Sequence, residues 1–371
     1  MRASLHAAEL HYGGNLVLHT ASSGSISHLS EIYLHLRDAA TFGIGEVRVN
    51  IAYLNGYAPE TVTQAAIAAV GAIDWTRDSA DLLATMPDWG ALLIAPVRTL
   101  IDCALHDFIA RRAGVSVAAS LVTDSAGNCA QPVVWPTNQT LFISPEETFV
   151  AQAQAYVDRG FRDLKVRVAA GHFSEDLHRI AALRVKFGDQ VKIAADANGR
   201  WSEAEALDNL KALALFGVVY VEQPVAVGDW GAIDRLAARS PVPMMLDESV
   251  TGPDDIARIC GYGGKVFAHL KLVKLGGIAP TVRAARELSE AGVPFMIGQM
   301  NEGAAATAAT LHVACATSPA FAELYGADGL IDDPVSGISY EAGTVRASEA
   351  PGLGVTFNPA TTHSIGDYGH G

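Results

Sequence analysis

Positive charge is scarce in this 371-residue chain: 26 Lys and Arg stand against 40 Asp and Glu, a formal charge of −14. Proteins that bind nucleic acid carry the opposite balance, because phosphate neutralisation dominates their affinity, so neither DNA nor RNA is an expected partner. Cysteine is scarce too. The four present (Cys103, Cys129, Cys260, Cys315) lie far apart, with no CxxC pair. A disulfide framework or thiolate metal site needs paired spacings, so reduced, buried thiols are expected. No window approaches 18 apolar residues without a charge, Gly or Pro, which argues against a membrane-spanning helix. The opening MRASLHAAELHYGG has no unbroken apolar core of the kind a secretory signal carries, and a cytoplasmic location is expected. Charged residues make up only 18% and hydrophobic ones 50%. That composition excludes a disordered chain and supplies a large core, divided over two or three domains by length. The acid excess could concentrate a divalent cation without saying where it would sit.

Two rhythms follow one another along the chain. Up to about residue 125, Glu31-Ile-Tyr-Leu-His-Leu-Arg37 alternates like a strand with one wet face, while 60–84 and 94–113 repeat apolar residues at helical spacing. The second helical stretch ends Arg-Arg-Ala-Gly, a basic last turn and a glycine stop. From about 130, short β-rich runs begin at 133 (VVWP), 163 (DLKVRV), 191 (VKIAAD), 218 (VVYVE), 243 (PMMLD), 266 (VFAHLKL), 293 (VPFMIG) and 321 (FAELYG). Helix-like segments such as SEDLHRIAALRVKFG separate them, opening on Ser or Pro and closing on Gly. Eight strands alternating with helices point to an α/β fold of the (β/α)8-barrel type rather than an open doubly wound sheet. The expected layout is an α+β domain over 1–125, a barrel over 126–345 and a Gly- and Pro-rich segment, 346–371, returning to the first domain.

In such a barrel the chemistry sits at the C-terminal ends of the strands. There the expected second strand ends Lys165-Val-Arg167, the third Asp196-Ala-Asn198, the fourth at Glu222, the fifth at Asp247-Glu248 and the sixth Lys271-Leu-Val-Lys274, while the eighth carries Glu323. From Lys165 through Lys271 the steps are 31, 26, 25 and 24 residues, about one βα unit each, so these groups can converge on one rim. Three carboxylates from adjacent strands make a hard, all-oxygen site suited to one Mg²⁺ or similar ion per subunit. Lysines flanking it suit proton transfer, since a desolvated Lys beside a cation has its pKa lowered; as plain counter-ions they would instead keep the acids charged. Lys274 reads as such support, or as loop.

With these motifs in order, the sequence resembles the enolase superfamily, in its mandelate racemase and muconate-lactonizing enzyme branch. The resemblance is carried by GIGEVR (43–48), APVRTLIDCALHD, LKVRV, ADANGRW (195–201), VEQP (221–224), LDES (246–249), LKLVKLGGI (270–278) and PGLGV (351–355). It makes the N-terminal region a capping domain and implies Asp196, Glu222 and Asp247 as metal ligands, choosing Asp247 over Glu248. Lys271 resembles the catalytic lysine of the sixth strand. PFMIGQM lacks the His that mandelate racemase places on the seventh strand, and AELYG around Glu323 resembles the muconate-lactonizing subgroup. One position departs: the family's Lys-x-Lys is here Lys165-Val-Arg167. Arginine does not deprotonate under ordinary conditions, so it is a poor base and a good oxyanion partner.

The expectation is a Mg²⁺-dependent enzyme that abstracts the proton α to the carboxylate of a small hydroxy- or amino-acid-type substrate. Lys271 transfers the proton, Lys165 and Arg167 stabilise charge on the opposite face, and β-elimination follows. The alternatives are a racemase or epimerase of an amino acid derivative, a muconate-type cycloisomerase, and, remotely, a non-catalytic binding protein. Asn198 and Glu248 are expected to orient the ligands or Lys271. Trp135, Thr137, Asn138, Gln299 and Glu323 are candidates for lining the substrate pocket, with capping-domain loops near 14–28 and 50–57 setting specificity. His269 should point into the barrel as a buried neutral residue, and Asp332-Asp333 reads as a solvated loop. By the resemblance, a homo-oligomer, dimer or octamer, is expected.

Overall fold

The computed structural model describes all residues except 16, 17, 21–23, 123–131 and 370–371. Cys129 and part of the 14–28 loop therefore lie outside the described residues. The other three cysteines are free thiols. Among the described residues no helix is long and apolar enough to cross a membrane.

The N-terminal region is a four-stranded antiparallel sheet in the order His363–Tyr368, Arg2–Leu10, Leu29–Arg37, Phe42–Arg48. The C-terminal end of the chain thus supplies an edge strand, with Ala3 opposite Tyr368. Helix Ala95–Ala113 packs on this sheet; Pro96 sits in its first turn and Gly114, at φ 69°, closes it. The GIGE run has a steric cause. A Cβ on Gly43 would meet the Ala104 carbonyl at 2.5 Å, and one on Gly45 the Leu100 carbonyl at 2.0 Å, so only glycine lets strand and helix backbones approach. Asp107 locks the arrangement, accepting Ile44 N–H at 2.9 Å and Leu353 N–H at 2.7 Å.

The expected wet face on the Leu29–Arg37 strand is absent. Ile32, Leu34 and Leu36 face the helices, while Glu31, Tyr33 and His35 are buried on the other side. The alternation is real, but the returning C-terminal segment covers the polar face: Tyr33 stacks on Phe357, and His35 meets the same ring edge-on.

Eight parallel strands form the barrel: Gln139–Leu141, Asp163–Arg167, Lys192–Asp196, Val218–Glu222, Met244–Leu246, Val266–Lys271, Phe295–Gly298 and Phe321–Glu323. Asn138 N–H donates to the Ala322 carbonyl at 3.0 Å, joining the first strand to the eighth. The first strand is not VVWP. Val134–Pro136 pairs antiparallel with Thr344–Ala347 in a separate small sheet. The true first strand, Gln-Thr-Leu, is three buried residues, too short and too polar to stand out against its apolar neighbour.

The helix Ala304–Thr317 after the seventh strand contacts the short helix Val117–Leu121 through His312, whose Nδ1 accepts Ala118 N–H at 2.9 Å. Burial pushes His312 down to about 4 from its ordinary 6.5. The unfolded chain therefore takes up this proton near pH 6.5 and the folded chain only near pH 4. Stability should be unaffected above that window and fall as pH drops through it, by about 3 kcal/mol in total. His312→Gln is expected to flatten this part of the acid slope. Urea midpoints of both proteins at about pH 7 and about pH 4 check it, and equal slopes would contradict it.

Candidate active site

Strand register sets the rim. Arg167 lies beside Asp196, Asp196 beside Glu222, and Lys271 beside Gly298, which in turn pairs with Glu323. Their side chains enter one buried ionic cluster. Lys165 Nζ lies 3.0 Å from Glu222 Oε2 and 3.6 Å from Asp196 Oδ2, and pairs closely with Glu323. Across the barrel, Lys271 Nζ donates to Asp247 Oδ2 at 2.6 Å and lies 3.4 Å from Met300 Sδ. Lys274 Nζ donates to Asp247 Oδ1 at 2.7 Å and to the His269 carbonyl at 3.1 Å. Lys274 thus supports Asp247. Lys165, Asp196, Glu222, Asp247, Lys271, Lys274 and Glu323 are buried and Arg167 is half-buried, where an unpaired charge would be prohibitive.

The cluster sets its own protonation. Burial would strip the proton from Lys165, but Glu222, Glu323 and Asp196 outweigh it and hold the ammonium well above its ordinary value. For Lys271 too, burial is overcome, chiefly by Asp247, and the pKa is raised. Burial opposes ionisation of Asp247 as well, but Lys271 and Lys274 win and hold it well below the usual carboxylate range. Asp196 goes the other way, pushed up to about 7 mainly by burial despite Arg167.

The loop residues orient these groups. Asn198, at φ 45°, accepts from Arg167 Nη1 at 2.8 Å and donates through Nδ2 to Glu248 Oε1 at 3.0 Å. His269 shares a 3.0 Å hydrogen bond between Nδ1 and Glu222 Oε1. Because a carboxylate only accepts, Nδ1 must carry the proton, leaving Nε2 packed against Gly298, where a Cβ would come within 2.1 Å of it. His269 therefore positions Glu222.

The residues suit a divalent cation. Carboxylate oxygens of Glu222 and Asp247 lie within 4.8 Å of each other and of a ring nitrogen of His269, which is occupied in positioning Glu222 rather than in binding a cation. Glu248 Oε2 is buried without a hydrogen-bond partner, as a carboxylate oxygen awaiting a cation would be. Hard oxygen donors on adjacent strand ends match Mg²⁺ chemistry.

Not every expected lining residue reaches this rim. Trp135 and Thr137 line a groove with Arg162, Asp163 and Lys192, at the N-terminal ends of the strands and so on the opposite face. They precede the true first strand. Gln299 is buried and donates to Thr307 Oγ1 at 2.9 Å, toward the following helix. Asn138 does make contact, donating to Glu323 Oε2 at 3.1 Å. Asp333 is not simply solvated: it accepts Ala304 N–H at 2.7 Å and Val335 N–H at 2.8 Å, while the exposed Asp332 pairs with His11. Two residues not singled out individually lie in segments named from the sequence, PFMIGQM and the 50–57 loop. Met300 follows the seventh strand, and Tyr53 lies in the short helix Ala52–Asn55 of the 50–57 loop, within the field of Lys271, Arg167 and Asp247.

A (β/α)8 barrel with an acid- and lysine-lined rim, covered by an α+β domain, defines the class of enolase-type barrel enzymes. The family model described as "Enolase C-terminal domain-like" matches residues 148–361, and the chain belongs to the mandelate racemase/muconate-lactonizing enzyme family of the enolase superfamily. Among its relatives is the N-succinyl-L-Arg/Lys racemase of Bacillus cereus, 28% identical over 62% of this chain and 63% of that protein, less than two thirds of its length. The L-Lys-D/L-Arg epimerase of Methylococcus capsulatus is 31% identical over 70% of this chain and 72% of the relative. The structure of a muconate lactonizing enzyme from Pseudomonas fluorescens complexed with muconolactone superposes with a TM-score of 0.86 at 25% identity, over 97% of this chain and 96% of that one.

Proposed function

We propose that this protein is a Mg²⁺-dependent enzyme that abstracts the proton α to a substrate carboxylate with a single base, Lys271, and completes β-elimination of a small hydroxy- or amino-acid-type carboxylate. Relatives named as racemases, epimerases and cycloisomerases support the coarser part of this reading. The observation that carries the single-base part is the unequal occupation of the two lysines. An ammonium has three N–H donors. Lys165 faces three carboxylates, Glu222, Asp196 and Glu323, whereas Lys271 has one carboxylate partner, Asp247, and a weak thioether neighbour. Lys271 keeps one N–H uncommitted, and loss of that proton frees a lone pair that can face a substrate α-proton. Arg167, where the family usually has a second lysine, holds its charge at any working pH.

Asp196, Glu222 and Asp247 would hold the Mg²⁺ ion, which when bound supplies positive charge beside the substrate carboxylate and lowers the cost of the enolate. With the positive charge of a bound cation beside it, Lys271 would first give up one proton to water; the neutral Nζ then removes the α-proton and holds it, with Asp247 fixing its direction. Lys165 and Arg167 keep positive charge on the opposite side of the barrel, and the capping domain limits entry of water. A racemase reading needs a second base on that side, which the saturated Lys165 and the guanidinium of Arg167 do not supply. The domain limits 1–125, 126–345 and 346–371 belong to the same proposal. So does a homo-oligomer, dimer or octamer: light scattering at micromolar concentration should give a mass above one subunit, and a monomer would contradict it. Deuterium uptake at the α-carbon across a panel of carboxylates tests the function itself; no uptake with any Mg²⁺-loaded sample would overturn it.

A further inference from the structure

We propose that Arg167 and the divalent cation compete for the Asp196 carboxylate, so that cation entry displaces the guanidinium and frees it as an anion-binding group for the substrate. The inference rests on the metal reading above and concerns the position where this chain departs from its family's pattern. Arg167 Nη1 is paired closely with Asp196 Oδ2. The same oxygen lies 3.6 Å from Lys165 Nζ, and Asp196 Oδ1 accepts Asn198 N–H at 3.0 Å. Both oxygens of Asp196 are therefore claimed. The potential ligand atoms that lie within 4.8 Å of one another come from Glu222, Asp247 and His269, without Asp196.

A lysine at 167 could yield to a cation by giving up its proton. Arginine cannot, so the two positive charges must exchange places. Two features fit a guanidinium that moves. Its Nε is buried with no hydrogen-bond partner, a donor left over for an incoming anion. Its Nη1 also donates to Asn198 Oδ1 at 2.8 Å, and Asn198 is itself tethered to Glu248, so the group has a second anchor when Asp196 turns to the metal.

The test is a Mg²⁺ titration by calorimetry of wild type, Arg167→Met and Arg167→Lys, each first stripped with a chelator. Removing the competitor should tighten Mg²⁺ binding by roughly tenfold or more in Arg167→Met, the scale of one charge-assisted hydrogen bond. Arg167→Lys should fall between it and wild type. Detectable binding by the variants alone would carry the same meaning. Equal or weaker binding by both variants would overturn the proposal, since a residue that merely preorganises Asp196 loses affinity when removed. If Arg167→Met does not fold, Arg167→Lys carries the same sign test. Absence of Mg²⁺ binding in all three proteins would instead overturn the metal reading, and this proposal with it.

Discussion

Lys271→Ala is expected to lose α-proton exchange by about 10²- to 10⁴-fold, the usual contribution of a positioned general base, while its fold survives. Asp247 would still have Lys274 at 2.7 Å, so no buried carboxylate is orphaned. Lys165→Ala should behave differently. Lys165 is the shared counter-ion of Glu222, Asp196 and Glu323, and breaking such a buried network typically costs about 3–5 kcal/mol. Thermal unfolding and deuterium exchange measured together separate the two: exchange lost with stability kept for Lys271→Ala, stability lost for Lys165→Ala. Wild-type exchange in Lys271→Ala would remove the base from the account.

The second large effect is expected at Asp247, which in the proposed function would both hold the metal and pair with the base. Its carboxylate takes both Lys271 and Lys274, so Asp247→Asn would remove the proposed metal ligand and the fixed partner of the proposed base together. Turnover should fall by roughly a thousandfold or more, since a divalent cation supplies several kcal/mol of transition-state stabilisation. Mg²⁺ affinity should fall with it, and the two exposed consequences, calorimetric binding and rate, are measured on the same sample. Asp196→Asn and Glu222→Gln should act in the same direction. Full activity of wild type in excess EDTA would contradict all three.

How much of this was legible in the sequence depends on the kind of information each feature needs. One acid or lysine per βα unit, from Lys165 to Lys271, is a property of spacing, and spacing places all five on one rim. The first barrel strand carries no such signal: Gln139–Leu141 is short and polar, while the apolar run beside it, which ends at Pro136, belongs to another sheet. That displacement moved Trp135 and Thr137 to the wrong face. The buried Glu31 and His35 escaped notice because alternation cannot say whether water or the C-terminal segment covers the polar side. Pairing was hidden for a different reason. Sequence places Arg167 and Asp196 on neighbouring strands, but only side-chain geometry shows that they hold each other.

The central claim, proton transfer by one base on one face, is tested most directly by proton NMR of the α-position in D₂O. Each enantiomer of a turned-over or slowly exchanging carboxylate is incubated separately with the Mg²⁺-loaded enzyme. The account predicts deuterium uptake by one enantiomer with configuration retained, slowed by about 10²- to 10⁴-fold after Lys271→Ala. Equilibration of the two enantiomers by wild type, with exchange from both, would contradict it.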